Sequence, residues 1–342
     1  MDNINTQKRK VAFIIEHCNM KGLYCFERVI TLSKLLNEHE IFIFTKPDNL
    51  EAMTLFEEAS ISPTFFESFK QLKNTFRNLQ IDLTIIDGKD VSAEQLQYIQ
   101  PFTKNIVTFD QYGDCHSLTQ CNIFAIFNEQ NELNRHNYLI GSYGFAVPEN
   151  IKQLERESIR PLATPHILIY FEDGDAENLT YRTLRHLTQL QIPLKITIIL
   201  DEQYDHAPED LQIMALSRRQ TTIQKGRNAF YDLLPQANIL IGNGNYTPYK
   251  AASFGIPYIA LAQNDYELHN FILKETNGFI HLGLGRKIKQ SALQNAVMEL
   301  LLHEERGSRA IRKQKMLQLH QNNDLLQALL HDLAVGEYRV TL

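Results

Sequence analysis

Four cysteines (Cys18, Cys25, Cys115 and Cys121) stand in a chain of 342 residues, with no C-x-x-C pair and no Cys/His spacing suited to zinc. That scarcity leaves buried or half-buried free thiols in a reducing cytoplasm as the expectation. No stretch approaches the roughly 20 apolar residues of a membrane span. No apolar run of signal-peptide length follows the polar, charged opening Met1–Lys10. A soluble, cytoplasmic protein is therefore expected. A charge excess is missing too: the formal net charge is −6, mixed in sign along the chain. It gives no electrostatic case for nucleic acid or for an acidic membrane surface. What is present is ordinary for a soluble globular protein, with 44% hydrophobic and 22% charged residues. The length is enough for two domains, each with its own core.

Short β-branched apolar runs alternate with longer helical patterns, the mark of parallel sheets with helical crossovers. Strands are expected at Val11–Ile15, Glu40–Thr45, Leu83–Ile86, Asn105–Phe109 and Ile123–Phe127, with helices Phe26–Leu36, Leu50–Ala59, Phe69–Leu79 and Ala93–Ile99 between them. Gly141–Pro165 holds three prolines, several charges and little apolar periodicity, and reads as an interdomain connection. The pattern then restarts with strands His166–Phe171, Leu194–Leu200, Asn238–Ile241 and Tyr258–Leu261. Helices are expected at Leu179–Leu190, Pro248–Phe254 and Tyr266–Glu275, with a last strand at Gly278–Leu282. The expected organisation is a Rossmann-like domain over 1–150, a second over 151–310 and a helical tail over 311–342. The basic segment Arg309–Lys315 reads as a solvated helix face.

In open α/β sheets, ligands bind beyond the carboxyl ends of strands, so the strand-to-helix loops carry the functional candidates. The loop after Val11–Ile15 is long and holds His17, two thiols, Lys21, Gly22 and Arg28. It reads as a substrate-facing loop with His17 as acid/base and Cys25 as nucleophile, or as a surface loop with a structural thiol. Asp87, at the end of an apolar strand, can bind a substrate hydroxyl or cap the next helix. Glu172-Asp173-Gly174-Asp175-Ala176-Glu177 carries four carboxylates in six residues, a poor cradle for phosphate. The most informative loop is Gly242-Asn243-Gly244-Asn245-Tyr246-Thr247-Pro248-Tyr249-Lys250, ending near Gly255 and Pro257. Its glycines permit close backbone approach, and Pro248 suits a first helical turn. The exposed amides and helix dipole suit a pyrophosphate, and a tight structural turn fits the same pattern.

On these residues the sequence resembles the GT-B nucleotide-sugar enzymes. It is most similar to the UDP-sugar hydrolase of pseudaminic acid synthesis and its spore-coat-polysaccharide glycosyltransferase-like relatives. More distantly it resembles the N-acetylglucosaminyltransferase that makes lipid II. The likeness runs in order along nearly the whole chain. Gly22–Arg28 takes the place of a Gly-x-Gly-His-x-x-Arg loop, Ile85-Ile86-Asp87 matches a strand ending in Asp, and Thr108-Phe109-Asp110 and Asn128 match further positions. Asp175–Thr180 matches a Gly-Gly-Ser-Asp-x-x-Asn-Leu-Thr loop, and Gly242–Pro257 aligns without gaps to the nucleotide-binding strand-loop-helix. Against that pattern, the catalytic His falls on Cys25 and the phosphate-facing Gly-Gly pair on Glu172-Asp173. The ribose-binding Glu falls on Lys250.

The resemblance implies an α/β, GT-B-like fold of two Rossmann-like domains facing a central cleft. It implies a nucleotide-sugar-dependent glycosyltransferase or UDP-sugar hydrolase-like protein of bacterial surface-glycan or nonulosonic-acid-type sugar metabolism. The UDP-linked donor would lie against Gly174, Asn243, Gly244, Asn245, Thr247 and Lys250, with Glu267 and Asn270 in a donor-contacting segment. Gly22 and Arg28 would serve the acceptor side, where a sugar or water reacts. His17, Cys25 and Asp87 are the catalytic candidates. No metal or other cofactor is called for, because helix dipoles can stand in for a cation. The altered positions support an alternative: a degenerate, non-catalytic homologue that binds a glycan, a nucleotide or a partner enzyme.

Overall fold

The computed structural model describes residues 8–16, 23–47, 50–88, 90–126, 138–154 and 164–337. Its contacts divide the chain into two compact units, residues 1–125, 132–148 and 321–342 forming one and 126–131 with 149–320 the other.

The strands of the first unit are β1 (Lys10–Ile15), β2 (Glu40–Thr45), β3 (Thr64–Phe65), β4 (Ile81–Asp87), β5 (Thr103–Phe109), β6 (Cys121–Phe124) and β7 (Tyr138–Ile140). They form one sheet in the order β3-β2-β1-β4-β5-β6-β7, every pairing parallel. A parallel sheet covered on both faces needs strands that are apolar throughout. β1 shows this: Val11, Phe13 and Ile15 enter one core cluster and Ala12 and Ile14 the other, as the two-residue period of a strand requires.

The expected tail is divided between the units. Helix Glu304–Lys315 belongs to the second, whereas helix Asn322–Val335 belongs to the first. Leu326, Leu330 and Leu333 of that last helix recur at helical spacing and join the core cluster of Val29 and Leu32. Asn323 fixes the docking, accepting from the Val147 N–H at 2.8 Å and donating to the Val147 carbonyl at 3.0 Å.

The second unit contains β8 (His166–Phe171), β9 (Lys195–Leu200), β10 (Thr221–Lys225), β11 (Ile239–Gly242), β12 (Tyr258–Ala262) and β13 (Phe279–Leu284). Their order is β10-β9-β8-β11-β12-β13, again parallel. Each unit thus places its third, second and first strands on one side and its fourth onward on the other. That is the doubly wound order, in which the crevice opens where the order reverses. In the first unit the reversal lies between β1 and β4, in the second between β8 and β11. The two-domain Rossmann-like fold expected from the sequence is the fold observed.

Four elements differ from the sequence reading, one of them the helix expected over Ala93–Ile99, which is the single turn Ala93–Leu96. β10 is an edge strand of mainly polar residues, so no apolar run announces it. β7 is three half-exposed residues. The helix expected over Tyr266–Glu275 is the single turn Asp265–Leu268, because His269 leaves helical geometry and Asn270 turns its side chain to the Ile272 N–H.

Candidate functional site

The candidate site of the second unit lies at its switch point, where the loops after β8 and β11 run side by side. β11 ends at Gly242, and helix Thr247–Phe254 begins five residues later. A Cβ on Gly242 would stand 2.4 Å from the Tyr170 carbonyl oxygen and 2.6 Å from the Tyr258 hydroxyl. One on Gly244 would stand 2.8 Å from the Glu267 carbonyl oxygen. The glycines therefore admit a close approach, and what approaches is the protein itself.

Glu267 sits at the centre of this arrangement. Its carboxylate accepts from the Gly244 N–H at 2.9 Å, the Gln263 N–H at 2.8 Å and the Asn243 side-chain amide at 3.0 Å. Burial pushes its pKa up to about 7 against those three donors. Asn270 donates to the carbonyls of Gly244 and Asn245 at 2.8 and 3.0 Å. Tyr258 closes the far side with a 2.6 Å bond to the Asn243 carbonyl. An Asx turn completes the entry to the helix, the Asn245 Oδ1 accepting from the Thr247 N–H at 3.1 Å.

The β8 loop meets this network through its acids. Glu172 accepts from the Lys250 ammonium at 2.6 Å and from the Thr247 hydroxyl at 2.7 Å. Both charges are buried, Lys250 being 2% and Glu172 8% exposed. Asp173 accepts from the Asn245 side-chain amide. Burial and the neighbouring Glu172 and Glu267 push its pKa well above the usual carboxylate range. Asp201, beyond β9, accepts from the Gly174 N–H at 3.1 Å, and burial raises it to about 6. Asp175 accepts from the N–H groups of Leu179 and Thr180 at 2.7 and 2.8 Å and so caps helix Leu179–Thr188. Burial raises Asp175, also to about 6. Asp173, Asp175 and Asn178 all take left-handed backbone (φ 66°, 53° and 51°). These are residue types that tolerate it.

All eight candidates expected in this half, Gly174, Asn243, Gly244, Asn245, Thr247, Lys250, Glu267 and Asn270, meet at one place. Their partners include each other, the acids of the β8 loop, and Asp201, Tyr258 and Gln263. Residues not foreseen as members are Asp201 and Tyr258, whereas Gln263 opens the donor-contacting segment Gln263–Asn270 that the resemblance implies. Gln263 donates its side-chain amide to the Glu172 carbonyl at 2.9 Å. A carboxylate directly after the apolar run of β9 was the available signal for Asp201.

In the first unit, Arg28 and Asp87 are brought together. Arg28 binds Asp87 through two 2.6 Å bonds and Asp110 through a third of 2.8 Å. The guanidinium is 1% exposed and stacks over the rings of Tyr24 and Phe109, 5.0 and 4.5 Å from their centroids. Asp87 is pushed upward by burial and held down by Arg28. Asp110 spends its other oxygen on the Ala125 N–H at 2.8 Å. This is a buried, bidentate ion-pair group that ties helix Tyr24–Leu35 to the ends of β4 and β5. Cys25, on the same helix, is 5% exposed and disulfide-bonded. This corrects two expectations: Cys25 is no free thiol, and a sulfur held in a disulfide is no thiolate nucleophile. Cys115 and Cys121 are free and buried, and burial pushes both thiols up to about 12. His17 and Gly22, like Lys21 and Asn128, lie outside the described residues.

No family model matches the chain. A relative is the uncharacterized protein MJ1062 of Methanocaldococcus jannaschii, 21% identical over 272 residues, which span 75% of this chain and 56% of that protein. The chain thus spans little more than half the length of the curated relative it matches. Among solved structures it resembles MurG of Acinetobacter baumannii (TM-score 0.67, 13% identity, covering 95% of this chain and 99% of that one). A glycosyltransferase of Rickettsia africae gives a TM-score of 0.66 at 10% identity, covering 96% and 99%. A UDP-N-acetylglucosamine 2-epimerase of Listeria monocytogenes, so described on a provisional basis, gives 0.64 at 11% identity, covering 95% and 96%. At these identities the likeness establishes the fold, which is GT-B-like. No helix among the described residues is long and apolar enough to cross a membrane.

Proposed function

We propose that this chain is a glycosyltransferase-like protein of nucleotide-sugar metabolism whose nucleotide place in the second unit is closed by its own side chains. It binds a glycan or a partner enzyme instead, and does not turn over a nucleotide sugar at this site. The observation that carries the reading is the Glu172 carboxylate spanning from the β8 loop to Thr247 and Lys250 on the β11 helix. Where the resemblance implies a glycine pair for phosphate and a glutamate for ribose, an acid and a lysine satisfy one another. Separating a buried pair leaves an uncompensated charge, at a cost of about 3–5 kcal/mol. At 1.4 kcal/mol per decade, that weakens a competing nucleotide by roughly a hundred- to several-thousand-fold.

Calorimetric titration with UDP, CMP, GDP and UDP-N-acetylglucosamine tests the reading. No saturable heat is expected up to about millimolar ligand. Micromolar binding of UDP, or release of free UDP from UDP-N-acetylglucosamine, overturns it.

A second reading, an active glycosyltransferase or UDP-sugar hydrolase of surface-glycan or nonulosonic-acid-type metabolism, is favoured by the retained switch-point geometry. Solved structures that share the fold include a glycosyltransferase and an epimerase named for a UDP-sugar. On that reading the donor is a UDP-sugar, the second substrate is a sugar acceptor or water, and Asp87 and His17 carry the chemistry. Glu172→Gly with Lys250→Glu separates the two. Gain of UDP binding only in the double variant supports the closed site, whereas equal binding by parent and variant supports the active enzyme.

A further inference from the structure

Three metal-ligating side chains of the first unit converge at a place that none of the sequence candidates occupies. His39 lies in the turn between helix Tyr24–Leu35 and β2, Glu38 precedes it, and His331 projects from helix Asn322–Val335. His331 Nδ1 stands 3.2 Å from His39 Nε2 and 3.2 Å from Glu38 Oε1, and the third edge, His39 Nε2 to Glu38 Oε1, is 3.6 Å. Ligands about 2.0–2.1 Å from a tetrahedral zinc stand about 3.3–3.4 Å from one another, by the geometry of the tetrahedron. The three observed separations bracket that edge. The set of two imidazoles and one carboxylate is one that zinc accepts, with a fourth position left for water.

We propose that Glu38, His39 and His331 form a zinc-type divalent-metal site that fastens the last helix to the first unit. Three lone pairs facing one point repel unless a proton or a cation stands between them. Two imidazole nitrogens 3.2 Å apart can share one proton, but His331 Nδ1 has a second acceptor at the same distance. A cation satisfies all three at once. His39 is 7% exposed, and its ring stacks against that of His331 with centroids 5.1 Å apart, so the histidine pair is held in place before any metal arrives. Glu38 and His331 are half open to solvent, which leaves an entry path. Arg9 also lies nearby and is met by Asp82, 4.0 Å away.

The consequence concerns chain connectivity. Residues 39 and 331 are 292 positions apart, so a metal bridging them closes a loop through the greater part of the chain. A metal that binds only the folded state stabilises it by mass action. The helix docks by its leucines and Asn323 in any case; the site adds a clasp that depends on metal supply.

The experiment uses the untagged full chain, stripped with chelator and dialysed. Zinc is titrated calorimetrically, and cobalt is added in parallel to read the visible absorption of four-coordinate Co²⁺. One equivalent of zinc per chain is expected, with a rise in melting temperature and a tetrahedral cobalt spectrum. Glu38→Gln with His331→Gln, both at half-exposed positions, should retain the apo melting temperature and lose the metal equivalent. His39→Ala should lose it too. No saturable zinc binding by the parent chain overturns the proposal, as does binding that persists unchanged in the Glu38/His331 double variant.

Discussion

Replacing Lys250 by Met keeps the apolar stem and removes the ammonium from Glu172. The carboxylate then retains one side-chain donor, the Thr247 hydroxyl at 2.7 Å. It also lies among acids: its charge already raises the pKa of Asp173 and of Asp201. An orphaned buried charge costs about 3–5 kcal/mol. For a domain of this size each kcal/mol lowers the melting temperature by about 2–4 °C, so a fall of roughly 6–20 °C is expected. The decisive measurement is the cycle with Glu172→Gln, followed by urea unfolding and calorimetry. A glutamine in place of Glu172 keeps an acceptor for Thr247 and carries no charge, so Glu172→Gln/Lys250→Met should recover most of the loss. A coupling energy of at least about 2 kcal/mol is expected from the cycle. If Lys250→Met melts within about 2 °C of the parent, or if the double variant is no better than the single, the pair does not hold the loops together. The nucleotide place is then not closed by this pair, and the reading built on it fails.

Three other perturbations probe the same two networks. Arg28→Met leaves Asp87 and Asp110 buried without their shared cation and should cost the first unit about 3–5 kcal/mol in urea unfolding, with Arg28→Lys recovering only part, because an ammonium cannot reproduce the bidentate contact. Asp175→Ala removes the acceptor of the Leu179 and Thr180 N–H groups and should cost about 0.5–2 kcal/mol, with Asp175→Asn costing less, both read by thermal melting. Glu267, Asp175 and Asp201 are raised in the folded state to about 7, 6 and 6, so the folded protein holds these protons more tightly than the unfolded chain. Their contribution is therefore complete below the ordinary carboxylate range and is lost as pH rises through about 6 to 7. The stability difference between the parent and Glu267→Gln should therefore decline from about pH 4 to about pH 7, and a difference that is flat or rises with pH refutes the assignment.

The repeating βα pattern was legible because parallel strands buried on both faces are mainly apolar, as β1 and β8 are after their first residue and β11 is throughout. The strands that escaped lie at sheet edges: β10 is mainly polar, as a strand unpaired on one side can be, and β7 is only three residues long. The glycine loop was legible as a loop. Its contents were not, because nothing in a linear sequence shows that the space beside Gly244 is filled by Glu267, 23 residues later. Arg28, Asp87 and Asp110 were each visible at a strand end or helix start, and each fitted a ligand-facing role. Their separations of 59 and 82 residues hid the fact that they serve one another.

The same blindness bears most on Glu172 and Lys250. Read along the chain they are two departures, an acid where phosphate would sit and a base where ribose would bind. Each then counts separately against a nucleotide. In the folded unit they are one event, because the acid occupies the base at 2.6 Å and 78 residues of sequence close between them. Removing either residue takes from the other the opposite charge it faces in a buried place, so the two changes are coupled. An exchange of that kind stabilises the loops whether or not a ligand ever enters. It keeps the strand-loop-helix geometry by which the segment Gly242–Pro257 is identified, while the acid and the lysine engage one another.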